Sequence, residues 1–107
     1  MNRFVVEGLV REAQRGKRVA CASLRVEHQA VLDAASRAEG ACSTVRANGR
    51  QRVDFTSGGS IAMFSTDPAA VRGLSIDVLY LDLAAELAYS RNLYADAIPT
   101  GAEIIRL

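Results

Sequence analysis

The sequence predicts a three-layer α/β fold, built on a mainly parallel sheet with an antiparallel β-hairpin extension. Three observations carry this. Ile76–Leu81 is a short apolar run with β-branched and aromatic members, the pattern of a strand buried on both faces. Asp82 closes that run, and an Ala/Leu-rich helical pattern begins directly after it. Lys17–Leu24 (KRVACASL) reads as another buried strand, set between two helical stretches. Strands that alternate with helices point to an α/β sheet with a mainly parallel core.

The elements follow in chain order. Asn2 is placed to cap a first helix over Arg3–Arg15, with Val5, Val6, Leu9, Val10 and Ala13 on one face and mostly charged residues on the other. Gly16 closes that helix. After the Lys17–Leu24 strand, a second helix is predicted over Val26–Ala38. Its inner face is read as Ala30, Val31, Ala34, Ala35 and Ala38, small residues that let a helix lie close on a sheet. Cys42–Ala47 and Arg50–Ser57 are short strands around Asn48-Gly49, a strong type I′ hairpin signal. Val53 and Phe55 alternate with Arg52 and Asp54, so one face of the second hairpin strand is expected to be wet. Gly58-Gly59 makes a tight turn into the more buried strand Ser60–Ser65. Asp67-Pro68 starts a single helical turn over Pro68–Val71. Ile76–Leu81, a helix over Leu83–Tyr94, the breaker Pro99-Thr100-Gly101 and a last strand, Ala102–Leu107, complete the chain.

Length and composition narrow the function classes. The 107 residues suffice for one domain. Half are hydrophobic and 23% are charged, which is globular composition. A formal net charge of +1 provides no global field to draw in nucleic acid or anionic membrane. All but one of the thirteen basic residues are Arg, which fits either a GC-rich genome or phosphate contact through guanidinium groups. Cys21 and Cys42 lack CxxC spacing, and His28 is the sole histidine, so a zinc site is not expected. Both thiols are expected to be reduced, and His28 is read as a solvated surface residue. No run of 18 apolar residues and no signal-peptide pattern occurs, so no membrane partner is expected and the expected compartment is the cytoplasm.

Ser57–Glu86, "SGGSIAMFSTDPAAVRGLSIDVLYLDLAAE", resembles the P-loop ATPase core of phage terminase large subunits and their helicase-like relatives. The elements that carry the likeness are the Gly58-Gly59 turn, the buried Ile61–Phe64 strand, Arg72-Gly73, Asp77, and a Walker-B-like strand, Val78–Leu81, followed by Asp82-Leu83-Ala84. Upstream, Phe4–Arg15 resembles the helix after the phosphate loop and Lys17–Leu24 the strand that follows it. Ala102–Leu107 resembles the strand after Walker B. The resemblance implies a P-loop ATPase core lacking its first strand, and a cytoplasmic protein of a phage-infected host.

The departures from that family bear on chemistry. The phosphate loop requires G-x-x-x-x-G-K-[ST] between a strand and a helix. The only Gly-Lys pair, Gly16-Lys17, follows a helix, has Arg11 where the first Gly belongs and Arg18 where the hydroxyl belongs. Leu83 stands where the resemblance puts the Glu that polarises the attacking water, and phosphoryl transfer depends on such positioning and electrostatics. Asp82 is thus a Walker-B-like remnant, read as the N-cap of the following helix. Ser23, Ser57 and Ser60 lack a nucleophile-elbow context. No enzyme activity, cofactor or metal is expected.

Three readings of function remain. The leading one is a non-catalytic, ATPase-like small protein, phage-encoded, that acts through protein–protein contact. The second is a nucleic-acid-binding accessory factor that contacts phosphates through Arg46, Arg50 and Arg52 around the hairpin. A second basic cluster, Arg11, Arg15, Lys17 and Arg18, lies near the first helix end. The third is a defective relic of a terminase ATPase. For the first, the resemblance leaves Ala102–Leu107 at a sheet edge, where the absent phosphate-loop strand would lie. Glu103 and Arg106 are its only charges, and Ile104, Ile105 and Leu107 favour strand structure. Such an edge would pair with a second copy or with a host protein.

Overall fold

Val19, Ala20, Cys21 and Ala22 are all buried while Arg18 is exposed. A strand dry on both faces belongs in the interior of a sheet, with partners on either side. The computed structural model describes residues 3–47, 51–65, 75–82 and 103–106. Within them the order is α1 (Arg3–Gln14), β1 (Arg18–Ala22), α2 (Arg25–Ser36), β2 (Ala41–Val45), β3 (Arg52–Phe55), β4 (Ser60–Phe64), β5 (Val78–Leu81) and β6 (Glu103–Arg106).

The six strands form one mixed sheet in the order β2-β3-β4-β1-β5-β6. β1 lies between β4 and β5, parallel to both, and β5 is parallel to β6. β2, β3 and β4 form an antiparallel meander. All four β5 residues are buried, as their apolar run predicts. At about 1.5–3 kcal/mol for each large apolar side chain fully buried, this strand and β1 anchor the sheet.

Because side chains alternate along a strand, the register sorts the sheet into two faces. One carries Val19, Cys21, Val53, Phe55, Ile61, Met63, Val78 and Tyr80, which pack with α1 and α2 in the main core. The other carries Ala20, Ala22, Leu79 and Leu81, which form a second cluster with Ile76 and half-buried Phe64. Both described helices lie on the first face. The predicted third layer, the Leu83–Tyr94 helix, falls outside the described residues, as do Asn2, Asn48-Gly49, Arg50, the Pro68–Val71 turn, Arg72-Gly73 and Leu107.

α1 buries Val6, Leu9, Val10 and Ala13, the face that its periodicity predicts, and Gly16 ends it at φ 94°. The Gly58-Gly59 turn docks on this helix end. Ser57 Oγ donates to Ala13 O at 2.7 Å, and a Cβ at Gly59 would lie 2.0 Å from that same carbonyl oxygen. Gly59 is therefore required by close backbone approach, and the turn does more than reverse the chain.

α2 departs from its predicted inner face. Val31, Leu32 and Ala35 are buried, His28 is 5% exposed, and Ala30 is exposed. The stripe runs through 28, 31, 32 and 35, the i, i+3, i+4, i+7 pattern of a helix on a core. Selecting alanines turned the predicted face by about one residue. His28 is not a surface residue.

Candidate functional site

Ligands in open α/β sheets bind at the carboxyl ends of the strands. In this chain a set of described polar groups at that end bonds to backbone and to one another. Asp82, at the end of β5, is 6% exposed. Its Oδ2 accepts the Leu24 N–H at 3.1 Å, and its own N–H donates to Ala22 O at 3.2 Å. The Walker-B-like acid thus ties the chain leaving β1 to the chain leaving β5. Its expected role as N-cap concerns a helix outside the described residues.

His28 reaches the same end from α2. Its Nε2 lies 3.1 Å from Ser23 O and its Nδ1 3.1 Å from Gln51 Oε1. A carbonyl oxygen can only accept, so Nε2 carries a proton. A neutral ring then requires the Gln51 amide to present its nitrogen to Nδ1, whereas an imidazolium is satisfied by Oε1. Ser23 is fully buried, and among the described residues its Oγ has no hydrogen-bond partner. Ser23, His28 and Asp82 therefore do not form a nucleophilic relay: His28 holds the Ser23 carbonyl and leaves its hydroxyl alone. What the cluster does chemically is join β1, α2, the hairpin side and β5 into one rigid corner.

The amino ends of β1 and β5 carry a matching connection. Asp77 Oδ2 accepts the Arg18 backbone N–H at 2.9 Å and Arg18 Nε at 3.2 Å, while Oδ1 accepts Nη2 at 3.3 Å. Asp77 N–H donates back to Arg18 O at 2.9 Å. The guanidinium and backbone hydrogen bonds from Arg18 hold the Asp77 carboxyl below its ordinary range. Burial pushes the Cys21 thiol up to about 12, and burial, with Asp82 nearby, pushes the Tyr80 phenol up to about 12. Cys21 is buried, Cys42 is exposed, and neither is in a disulfide.

Of the seven basic residues singled out in the sequence, Arg15, Lys17, Arg18, Arg46 and Arg52 are found in ion pairs. Arg46 contacts Asp33 at 3.0 Å, and Arg52 Nε donates to Asp54 at 3.1 Å. Arg15 and Lys17 both contact Glu12, at 3.7 and 3.2 Å. The hairpin Arg46, Arg50 and Arg52 thus do not come together as one free cationic patch among the described residues, of which Arg50 is not one.

β6 ends the sheet. It pairs with β5 over Glu103↔Val78 to Arg106↔Leu81 and has no second neighbour among the described residues. Glu103 N–H donates to Asp77 O at 2.9 Å. In a parallel ladder a residue turns its N–H and C=O to the same side, and alternate residues turn to opposite sides. Glu103 and Ile105 therefore bond to β5, while the backbone groups of Ile104 and Arg106 point away from the sheet. A proline probe of this edge belongs at position 104, because at 105 it would break the β5 pairing.

Sequence reasoning missed the His28 corner, the Asp77–Arg18 connection and the approach of Gly59 to Ala13. The His28-Val31-Leu32-Ala35 stripe was the available signal for the first. The other two are contacts between residues distant in sequence, which local patterns do not mark. Among the described residues there is no group of three or more His, Cys, Asp or Glu side chains arranged to hold a metal, and no helix is long and apolar enough to cross a membrane. No family model matches the chain, and no curated protein matches it. What the fold defines is a small α/β domain with a mixed sheet.

Proposed function

We propose that this chain is a non-catalytic domain of the P-loop ATPase type, acting by protein–protein contact through β6. The observation that carries the reading is the outward row of backbone groups at Ile104 and Arg106 on a strand with one described neighbour. Such a row is a template for strand addition. The likeness to the ATPase core draws support from the parallel order β4-β1-β5-β6, in which the strand following the Walker-B-like strand lies directly beside it. The non-catalytic part rests on two features. Leu83 replaces the family's Glu, and the Asp82 carboxylate accepts a backbone N–H from Leu24. The nucleic-acid reading draws less support, because Arg46 and Arg52 stand in separate ion pairs, with Asp33 and Asp54, and do not form one cationic patch.

Light scattering on the wild type and on Ile104→Pro tests the contact. The wild type should self-associate at micromolar concentration, or retain a protein partner, and Ile104→Pro should lose this with its circular dichroism unchanged. A wild type that is monomeric throughout and retains the same proteins as the variant contradicts the reading. No ATP turnover is expected from the wild type or from Leu83→Glu. Hydrolysis above a buffer control, lost in Asp82→Asn, would overturn the non-catalytic assignment.

A further inference from the structure

A hollow of about 480 Å³ lies on the sheet face opposite α1 and α2, away from the β6 edge. Its floor is set by sequence. Ala20 of β1 and Ala62 of β4 are directly paired neighbours whose side chains share this face. Two methyl side chains side by side leave a depression where larger residues would fill the sheet surface. Phe64 and Ile76 wall it with apolar surface, and both are partly or fully buried. The volume falls within the range of about 300–1,000 Å³ that small-molecule sites occupy.

Arg18 and Arg52 line the same hollow, and among its described lining residues they are the only charged ones. Arg18 is on β1 and Arg52 on β3, with β4 between them. Arg52 is level with Ala62 and Ala20, whereas Arg18 is level with Ser60, two residues earlier, so their backbones stand about 12 Å apart, Arg52 beside the alanine floor and Arg18 at its amino end. Each guanidinium is oriented by an acid that does not line the hollow: Arg18 by Asp77 through Nε and Nη2, Arg52 by Asp54 through Nε and Nη2. A guanidinium has five N–H donors, so each retains donors beyond those two. Side-chain exposures of 51% and 48% keep them accessible.

The geometry points to a binding site for a small amphipathic anion: a flat apolar body lying on Ala20, Ala62 and Phe64, with a carboxylate, sulfonate or phosphate taken by Arg52 or Arg18. The apolar floor supplies area, and the pre-oriented guanidinium groups supply charge-assisted hydrogen bonds and select for an anion over a neutral analogue. The site requires neither the strand edge nor any likeness to ATPases.

Titration with anilinonaphthalene sulfonate, read by fluorescence and by amide shifts, tests this. Saturable one-to-one binding is expected, with shifts centred on Ala20, Ala62 and Phe64. Ala62→Leu should fill the hollow and abolish binding. Arg52→Gln or Arg18→Gln, whichever guanidinium takes the sulfonate, should weaken binding about tenfold, the effect of losing a hydrogen bond to a charged group, and unchanged binding in both variants overturns the proposal. Phenylnaphthylamine, which lacks the sulfonate, should bind the wild type about tenfold more weakly than the sulfonate and should not respond to either Arg variant. Should Ala62→Leu fail to fold, the two exposed Arg variants and the neutral probe decide alone. Absence of saturable binding, shifts centred elsewhere, or equal affinity for both probes overturns the proposal.

Discussion

At one end of the sheet, β2 has a bulge between Ala41 and Ser43, exposes Cys42, Ser43 and Thr44, and leads into Arg46, paired with Asp33. At the other end, β6 keeps an unbroken four-residue register with β5, a strand whose side chains are all buried. Both are terminal strands of the described sheet, yet only one carries the usual protection of an edge. A bulge twists the edge and interrupts the ladder, and polar side chains discourage pairing with another chain. The β6 segment has no bulge and two adjacent isoleucines between its charges. The difference teaches that the antiparallel meander ends in a protected edge, whereas the parallel half, among the described residues, ends in a strand with neither bulge nor polar run.

The largest effects should separate the two halves by stability. Leu79 of β5 is fully buried, so Leu79→Ala should cost about 2–5 kcal/mol through lost burial and the cavity left behind. Thr44 of β2 is exposed, and Thr44→Ala should stay within about 0.5 kcal/mol. Denaturant midpoints measured on both variants check this. Comparable losses would mean that the meander is as integral to the core as β5.

The next effects concern the two connections between β1 and β5. Asp82→Ala removes the buried acceptor of the Leu24 N–H and should cost about 1–3 kcal/mol in the same denaturation measurement. Asp77→Asn should cost less, because the Arg18–Asp77 pair is half exposed and screened by solvent. The Asp77 carboxyl is depressed in the folded protein by its hydrogen bonds from Arg18, so its contribution is present above the unfolded value near 3.8. It should disappear as pH falls through the lower folded value. Wild-type stability should therefore drop more than that of Asp77→Asn in that acid window, and the gap should narrow with added salt. Parallel pH profiles for the two proteins would show that the pair contributes nothing.

These contrasts also mark how much was readable from residue order. The β5 run, the Gly16 stop and the alternation of Val53 and Phe55 with Arg52 and Asp54 are local patterns, and each holds in the fold. The place of Ala102–Leu107 at an edge beside β5 came from the resemblance; the described part, Glu103–Arg106, lies there. The inner face of α2 was misplaced because alanine carries little information on burial: Ala35 is buried while Ala30 is exposed. His28 was misread because a lone histidine on a polar-looking turn resembles a solvated one until Gln51, 23 residues away, is brought to it. The hollow over Ala20 and Ala62 was invisible for a related reason. Two alanines become a floor only when the register sets them side by side.

Amide hydrogen exchange along β6 tests the central claim most directly. In dilute solution Glu103 and Ile105, whose N–H groups face β5, should exchange slowly, while Ile104 and Arg106 exchange fast. Raising the protein concentration, or adding a partner protein that the domain retains, should slow Ile104 and Arg106 and leave the exposed β2 amides unchanged. Slow exchange at Ile104 and Arg106 in the dilute monomer, equal to that at Glu103 and Ile105, would show that the edge is already covered and would contradict the account.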